Sequence, residues 1–146
     1  MKALTLVTSV LVLAACSGTK TAGPASTGTA TYMALTNGSD IFMTGRDIDG
    51  VRITAARAPL RPSCAACHNT NGSGGVHLPG GAISADLRRS ALVNGQKVPY
   101  TLALLERAIS TGIDNTGQPL NPVMPRWRLS KRDLRDVASY VLTQLK

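Results

Sequence analysis

The sequence predicts a small all-α domain, and three observations carry that prediction. No stretch of useful length alternates apolar and polar residues as a strand would. Apolar residues instead recur at helical spacing in segments that begin near Tyr100 and Ser130. Aromatic residues make up only 3% of the 146 residues, so the interior lacks its usual large side chains and an added group must help to fill it. We therefore expect three to five helices packed around one bound cofactor.

Residues 1–15 have the composition of an export signal. Lys2 supplies a positive start, residues 3–13 are mostly apolar, and Ala14 and Ala15 are small residues suited to a cleavage site. The apolar run is shorter than the roughly 20 residues that a membrane-spanning helix needs. A signal peptide is the prediction, and a buried first helix is the alternative.

Residues 13–16, Leu-Ala-Ala-Cys, resemble the box at which bacterial lipoproteins are cleaved and acylated. The resemblance implies a lipid on Cys16, and Ser17 after it implies the outer membrane rather than the inner one. Residues 17–31 are nearly all Ser, Thr, Gly and Ala, a composition typical of a flexible tether. We expect a signal peptide at 1–15, an anchor and tether at 16–36, and a periplasmic domain at 37–146. The alternative is an ordinary signal peptide that carries Cys16 by chance.

Four helices are expected in the domain, over residues 39–44, 85–93, 100–110 and from 130 towards the C-terminus. Gly45 and Gly112 follow the first and third of these as stop signals, and Ser84 precedes the second as its N-cap. Ser130 with Asp133 resembles the start of a capping box, although Asp replaces the usual Glu or Gln.

Cys64, Cys67 and His68 form the pattern Cys-X-X-Cys-His. Each thiol can add to one vinyl group of a haem while the adjacent imidazole reaches the iron. The pattern predicts one covalently bound haem c, with His68 as an axial ligand. Two other uses stay open, a zinc site completed by His77 and a redox-active cysteine pair. A zinc site would leave the loop of Met124 and Pro125 unexplained, and a redox pair would be expected beside a strand-helix-strand pattern that the sequence lacks.

Met124 is the candidate for the second axial ligand. Pro122 and Pro125 restrict the backbone around it, and its thioether is a soft ligand suited to the iron of an electron-transfer haem. His77 is the competitor. Ligation by two imidazoles would lower the reduction potential, because a Met/His pair raises it.

The attachment motif, glycine-rich loop, middle helices, Met-Pro loop and C-terminal helix follow in an order that resembles class I cytochrome c over residues 37–146. The matching residues are Cys64, Cys67, His68, Pro79, Met124, Pro125 and Tyr140. The resemblance implies that the carbonyl of Pro79 accepts a hydrogen bond from His68. It also implies that Gly38 or Phe42 on the first helix packs against Tyr140.

Trp127 and Arg126 directly follow the Met-Pro pair. Their indole N–H and guanidinium could hold a haem propionate, whose charge would be costly to bury alone. The alternative is a core tryptophan between two solvated arginines, Arg126 and Arg128. Arg57 and Arg61 are expected to be surface charges near the haem edge.

These residues together predict an electron carrier rather than an enzyme, since two strong axial ligands leave no position open for a small-molecule substrate. The chain has 16 Lys and Arg against 8 Asp and Glu, which favours redox partners with an acidic docking surface. The basic residues are scattered and no nucleic-acid motif is present, so nucleic acid is not an expected partner. Two alternatives remain, a haem enzyme or gas sensor in which Met124 is displaced, and a haem subunit of a larger dehydrogenase or oxidase.

Overall fold

The computed structural model describes residues 27–146. The elements are α1 (Thr27–Thr44), β1 (Thr54–Ala55), α2 (Ala65–His68), a 3-10 turn (Pro79–Gly81), a π-helical turn (Ser90–Asn94), α3 (Leu102–Thr111), β2 (Trp127–Arg128) and α4 (Lys131–Gln144). Within these residues the only sheet is the short antiparallel pair of β1 and β2. The predicted helical class is therefore confirmed. None of the helices between residues 27 and 146 combines the length and apolarity that a membrane span requires.

The third and fourth predicted helices are confirmed, with Gly112 at the predicted end of α3 and Ser130 at the predicted start of α4. Thr101 caps α3 by accepting a hydrogen bond from the N–H of Leu104, and Gly112 ends it with a φ of 73°. At the start of α4 the Ser130 hydroxyl accepts from the N–H of Asp133 and donates to its carboxylate at 2.5 Å. This pair forms the N-terminal cap that the sequence suggested.

The first helix is longer than predicted, because α1 begins at Thr27 rather than at Ser39. Residues 27–33 are exposed and carry no apolar stripe, so the periodic signal of an amphipathic helix is missing there. Gly45 follows the end of α1 as expected. The predicted signal peptide, Cys16 and the tether up to residue 26 lie outside the described residues, and the division at residue 36 stays a prediction.

Ser84 is not a helix cap, and the second predicted helix is wrong over its first half. The Ser84 hydroxyl accepts a hydrogen bond from the N–H of Val76 at 2.9 Å, and the Ser84 N–H donates to the Val76 carbonyl at 3.0 Å. Residues 74–85 thus fold back on themselves, and we call them the 74–85 hairpin. These hydrogen bonds across the hairpin take the place of helical hydrogen bonds. Within the segment predicted as the second helix, helical structure is therefore confined to Ser90–Asn94.

The crossing of α1 and α4 forms the centre of the fold. A Cβ at Gly38 would collide with the carbonyl of Asp136 and would lie 2.8 Å from Cβ of Tyr140. One turn later, the ring of Phe42 lies 5.7 Å from that of Tyr140, centroid to centroid. The structure contains both contacts that the family resemblance implied for this crossing.

Replacing Gly38 by alanine should therefore push α1 away from α4. We expect the free energy of unfolding of the haem-loaded protein to fall by about 1–3 kcal/mol, as is typical of an overpacked site. Thr29→Ala, in the exposed part of the same helix, should change it by less than about 0.5 kcal/mol. Guanidinium titrations followed by circular dichroism measure both, and equal midpoints for Gly38→Ala and the native protein would contradict the packing described.

Asn37 joins α1 to α4 and to the loop that follows α1. Its side chain is 2% exposed, and its amide nitrogen donates to Asp133 at 2.9 Å and to Asp136 at 2.7 Å. Its amide oxygen accepts from the N–H of Ile48 at 2.8 Å. All these polar groups of the crossing are thereby paired, which avoids the penalty of leaving them buried without a partner.

The charge of Asp133 should make stability depend on pH. Burial raises the pKa of Asp133, but hydrogen bonds from Ser130, Asn37 and Arg132 outweigh burial and hold the pKa below its usual value. A carboxyl group with a lowered pKa stabilises the folded protein at pH values above the ordinary carboxyl pKa of about 3.9. That stabilisation is lost as the pH falls through the folded-state pKa. We expect Asp133→Asn to cost about 1–2 kcal/mol at pH 7 and to flatten the acid limb of the stability profile.

Urea titrations between neutral and acid pH measure this effect. Asp49→Asn is the matched control, since that carboxylate is largely exposed and its replacement should change the free energy of unfolding little. Parallel profiles for Asp133→Asn and the native protein would show that Asp133 does not contribute.

Candidate functional site

The helical turn formed by Cys64 and α2 places the side chains of Cys64, Cys67 and His68 on one wall of a cleft. The N–H groups of Cys67 and His68 donate to the carbonyl of Cys64 at 3.1 and 2.9 Å, so a single helical turn positions all three. Positions three and four apart share a helix face, and all three side chains line the cleft. Both cysteines are free thiols.

The cleft has an enclosed volume of about 170 Å³ and lies between α1, α3, α4 and the 74–85 hairpin. Its lining is mainly apolar and includes Phe42, Leu105, Ile109, Trp127, Val137 and Val141. Among its described lining residues, Arg61 alone carries a permanent charge. An apolar cleft with sulfur and nitrogen donors at its wall fits a haem.

His68 is oriented by a hydrogen bond to the main chain. Its Nδ1 lies 2.8 Å from the carbonyl of Ala85, so Nδ1 carries the proton and Nε2 keeps its lone pair for a metal. The prediction for Pro79 is therefore wrong. The 74–85 hairpin brings Ala85 back beside His68, while Pro79 lies exposed in the 3-10 turn at the hairpin tip.

Burial sets the protonation of these groups. It lowers the pKa of His68, and the hydrogen bond to Ala85 only partly opposes this, so the imidazole is neutral at neutral pH. Burial raises the pKa of Cys64 to about 12. Burial also raises the pKa of Cys67, against the opposing charge of Arg61. Neutral imidazole is the form of histidine that binds a metal.

Met124 lines the same cleft. Its N–H donates to the carbonyl of Asn121 at 3.1 Å, and the side-chain oxygen of Asn121 accepts from the N–H of Val123 at 3.0 Å. The chain therefore makes a tight turn that delivers Met124 to the cleft. The structure brings together the two cysteines, His68 and Met124.

His77 is not part of this set. It is exposed on the 74–85 hairpin opposite Ile83 and does not line the cleft. Over residues 27–146, no group of three or more His, Cys, Asp or Glu side chains is placed to hold a metal ion. The zinc set of two cysteines with His68 and His77 is thus not assembled.

Trp127 and Arg126 differ in what they contact. Trp127 is 5% exposed and lines the cleft, and its indole N–H donates to no residue in the described part of the chain. That N–H is available to a haem propionate. The guanidinium of Arg126 instead donates to the main-chain carbonyls of Met124 at 2.6 Å and Leu120 at 2.8 Å. The structure thus gives Arg126 a different role from the predicted propionate contact.

The sequence reasoning missed Ala85 because the acceptor is a main-chain carbonyl and has no side-chain signature. The glycine-rich composition of the segment from Gly72 to Gly81 was the available signal, since it permits the tight turns that return the chain to His68. Arg61 was expected near the haem edge, and it lies at the cleft beside Cys67.

A small helical domain whose Cys-X-X-Cys-His motif opens on an apolar cleft defines a haem-binding electron-transfer protein. The cytochrome c family model matches residues 35–144, and the chain belongs to that family. Its cofactor is covalent haem c, and Cys64 and Cys67 have the spacing of the family's Cys-X-X-Cys-His attachment motif. Membership indicates an extracytoplasmic protein of haem-based electron transfer. A comparison with curated proteins found no match.

Proposed function

We propose that this protein is a class I cytochrome c with a single haem, and that it carries single electrons between redox proteins in the periplasm. The observation that carries the proposal is the meeting of His68 and Met124 in one apolar cleft with both cysteines. His68 and Met124 are the two axial ligands in this proposal. The bound haem supplies reversible one-electron oxidation and reduction of its iron.

The protein side chains hold the cofactor and control its surroundings. Cys64 and Cys67 attach it through thioether bonds, and the carbonyl of Ala85 keeps the His68 ring in one orientation. The apolar walls exclude water, which tunes the reduction potential by lowering the local dielectric constant. Trp127 donates to a propionate through its free indole N–H.

Carbon monoxide distinguishes a carrier from a haem enzyme or gas sensor. With both axial positions taken by protein ligands, addition of carbon monoxide to the reduced native protein at neutral pH should leave the visible spectrum unchanged. Immediate formation of a carbon monoxide complex would mean that an axial position is open, and would favour the enzyme or sensor function.

Positive charge beside the cleft supports an acidic redox partner. Arg61 lines the cleft, and Arg57 lies exposed on the segment just before it. Complementary charge accelerates encounter, and salt screens that attraction. Oxidation by the anion ferricyanide should therefore slow as salt is added, whereas a rate independent of salt would contradict a positive docking surface.

A lipid anchor at Cys16 is the remaining part of the proposal, and it rests on the resemblance of residues 13–16 to a lipoprotein box. Cells fed a labelled fatty acid should incorporate it into the native protein but not into Cys16→Ser. The native protein should fractionate with the outer membrane. Equal labelling of both proteins, or no labelling of either, would remove the anchor from the proposal.

A further inference from the structure

Arg126 contacts the Met124 loop, residues 120–125, at three points. Its guanidinium donates to the carbonyls of Met124 at 2.6 Å and Leu120 at 2.8 Å, and more weakly to that of Asn121 at 3.5 Å. These three acceptors span the turn that delivers Met124 to the cleft. One planar group thus ties the beginning of the loop to its end.

Arg126 is itself held in place from two sides. Its main-chain carbonyl accepts from the N–H of Ala56 at 2.9 Å, which continues the pairing of β1 with β2. Its side chain crosses Gly112 at the end of α3 so closely that a Cβ there would collide with the guanidinium. Gly112 has a φ of 73°, so glycine suits this position for its conformation as well as its size.

The loop's own hydrogen bonds are the two of the turn at Asn121 and the bond from the Leu120 N–H to the carbonyl of Gly112. Pro122 and Pro125 have no N–H to donate, and it is the guanidinium that donates to the carbonyls of Leu120 and Met124 at the two ends of the loop. A guanidinium has five donors in a fixed plane and can bridge separate carbonyls, whereas an ammonium group is a compact charge on a flexible stem. The contact therefore requires arginine and not merely a positive charge.

We infer that Arg126 is a positioning residue that holds the Met124 loop in the conformation that presents the thioether to the haem iron. This inference rests on the proposed function, because ligation by Met124 belongs to that proposal. Arg126 acts through main-chain carbonyls and not through contact with the cofactor. Its loss should allow the loop to open and the thioether to be displaced.

Imidazole competes with an axial methionine and so reports how easily the loop opens. Titration of the oxidised, haem-loaded protein with imidazole should show about tenfold tighter binding in Arg126→Met, the effect expected from lost hydrogen bonds to a charged donor. Arg126→Lys should behave like Arg126→Met. The control Arg128→Met, on the exposed side of β2, should stay within about twofold of the native protein.

Two results of the imidazole titration overturn the inference. Native-like imidazole affinity in Arg126→Met shows that the loop does not need the guanidinium, and native-like affinity in Arg126→Lys shows that charge alone suffices. Gly112→Ala gives a second way to displace the guanidinium with the arginine retained, and it should also tighten imidazole binding.

Amide hydrogen exchange separates this inference from the ligand assignment. Exchange over residues 120–126 should be faster in Arg126→Met than in the native protein or Arg128→Met, whatever occupies the iron. A native protein without the near-infrared sulfur-to-iron band would refute ligation by Met124, while unchanged exchange in Arg126→Met would refute the role of Arg126.

Discussion

Replacing Cys64 and Cys67 together by alanine is expected to give a colourless chain that does not unfold cooperatively. The haem-binding cleft lies between α1, α3 and α4, and its walls include the core residues Phe42, Leu105, Val137 and Val141, which lose contacts on the cleft side without the cofactor. A void costs about 24 cal/mol per Å³, so leaving the cleft's enclosed volume of about 170 Å³ unfilled would cost on the order of 4 kcal/mol. That is close to the lower end of the whole stability of a domain, about 5–15 kcal/mol.

Thermal unfolding by circular dichroism and haem staining after denaturing electrophoresis measure the two parts of this prediction. Cys16→Ala is the matched control, because it also removes a cysteine but should keep the pigment and the native transition. A sharp, native-like transition in the colourless double variant would show that the polypeptide packs without its cofactor.

Met124→Ala should keep the covalent haem but change its chemistry. Loss of the thioether removes the ligand that raises the potential, so we expect a fall on the order of 0.1 V within the span of about 0.8 V that axial ligands control. The vacated position should also admit carbon monoxide to the reduced protein.

Potentiometric titration and carbon monoxide difference spectra measure these changes. Met33→Ala is the control, since Met33 is 48% exposed on α1 and should leave both properties as they are. If Met124→Ala keeps the native potential and excludes carbon monoxide, another residue is the ligand.

Local signals in the sequence were sufficient for the helices that depend on local bonds. The cap at Thr101 and the glycine at 112 bound α3, and Ser130 with Asp133 starts α4, all through contacts within four residues. The beginning of α1 could not be found in this way, because residues 27–33 are helical yet exposed and lack a stripe. The strands β1 and β2 have two residues each, too few for alternation to register.

The parts of the site that the sequence did not reveal depend on contacts between distant main-chain atoms. Ser84 has the composition of a helix cap, but its partner is Val76 across the 74–85 hairpin. The same hairpin brings the carbonyl of Ala85, and not that of Pro79, to His68. Arg126 likewise uses carbonyls, which every residue possesses. Side-chain identity therefore predicted the cysteines, His68 and Met124 as candidates, but not the main-chain groups around them.

The proposed carrier function depends on coordination of the iron of one covalently bound haem by both His68 and Met124. The most direct test is a near-infrared spectrum of the oxidised native protein at neutral pH, recorded beside that of Met124→Ala. We expect a weak sulfur-to-iron charge-transfer band in the native protein that is lost in the variant. Absence of the band from the native protein, or its persistence in Met124→Ala, would contradict the assignment of Met124 and with it the closed site on which the carrier function depends.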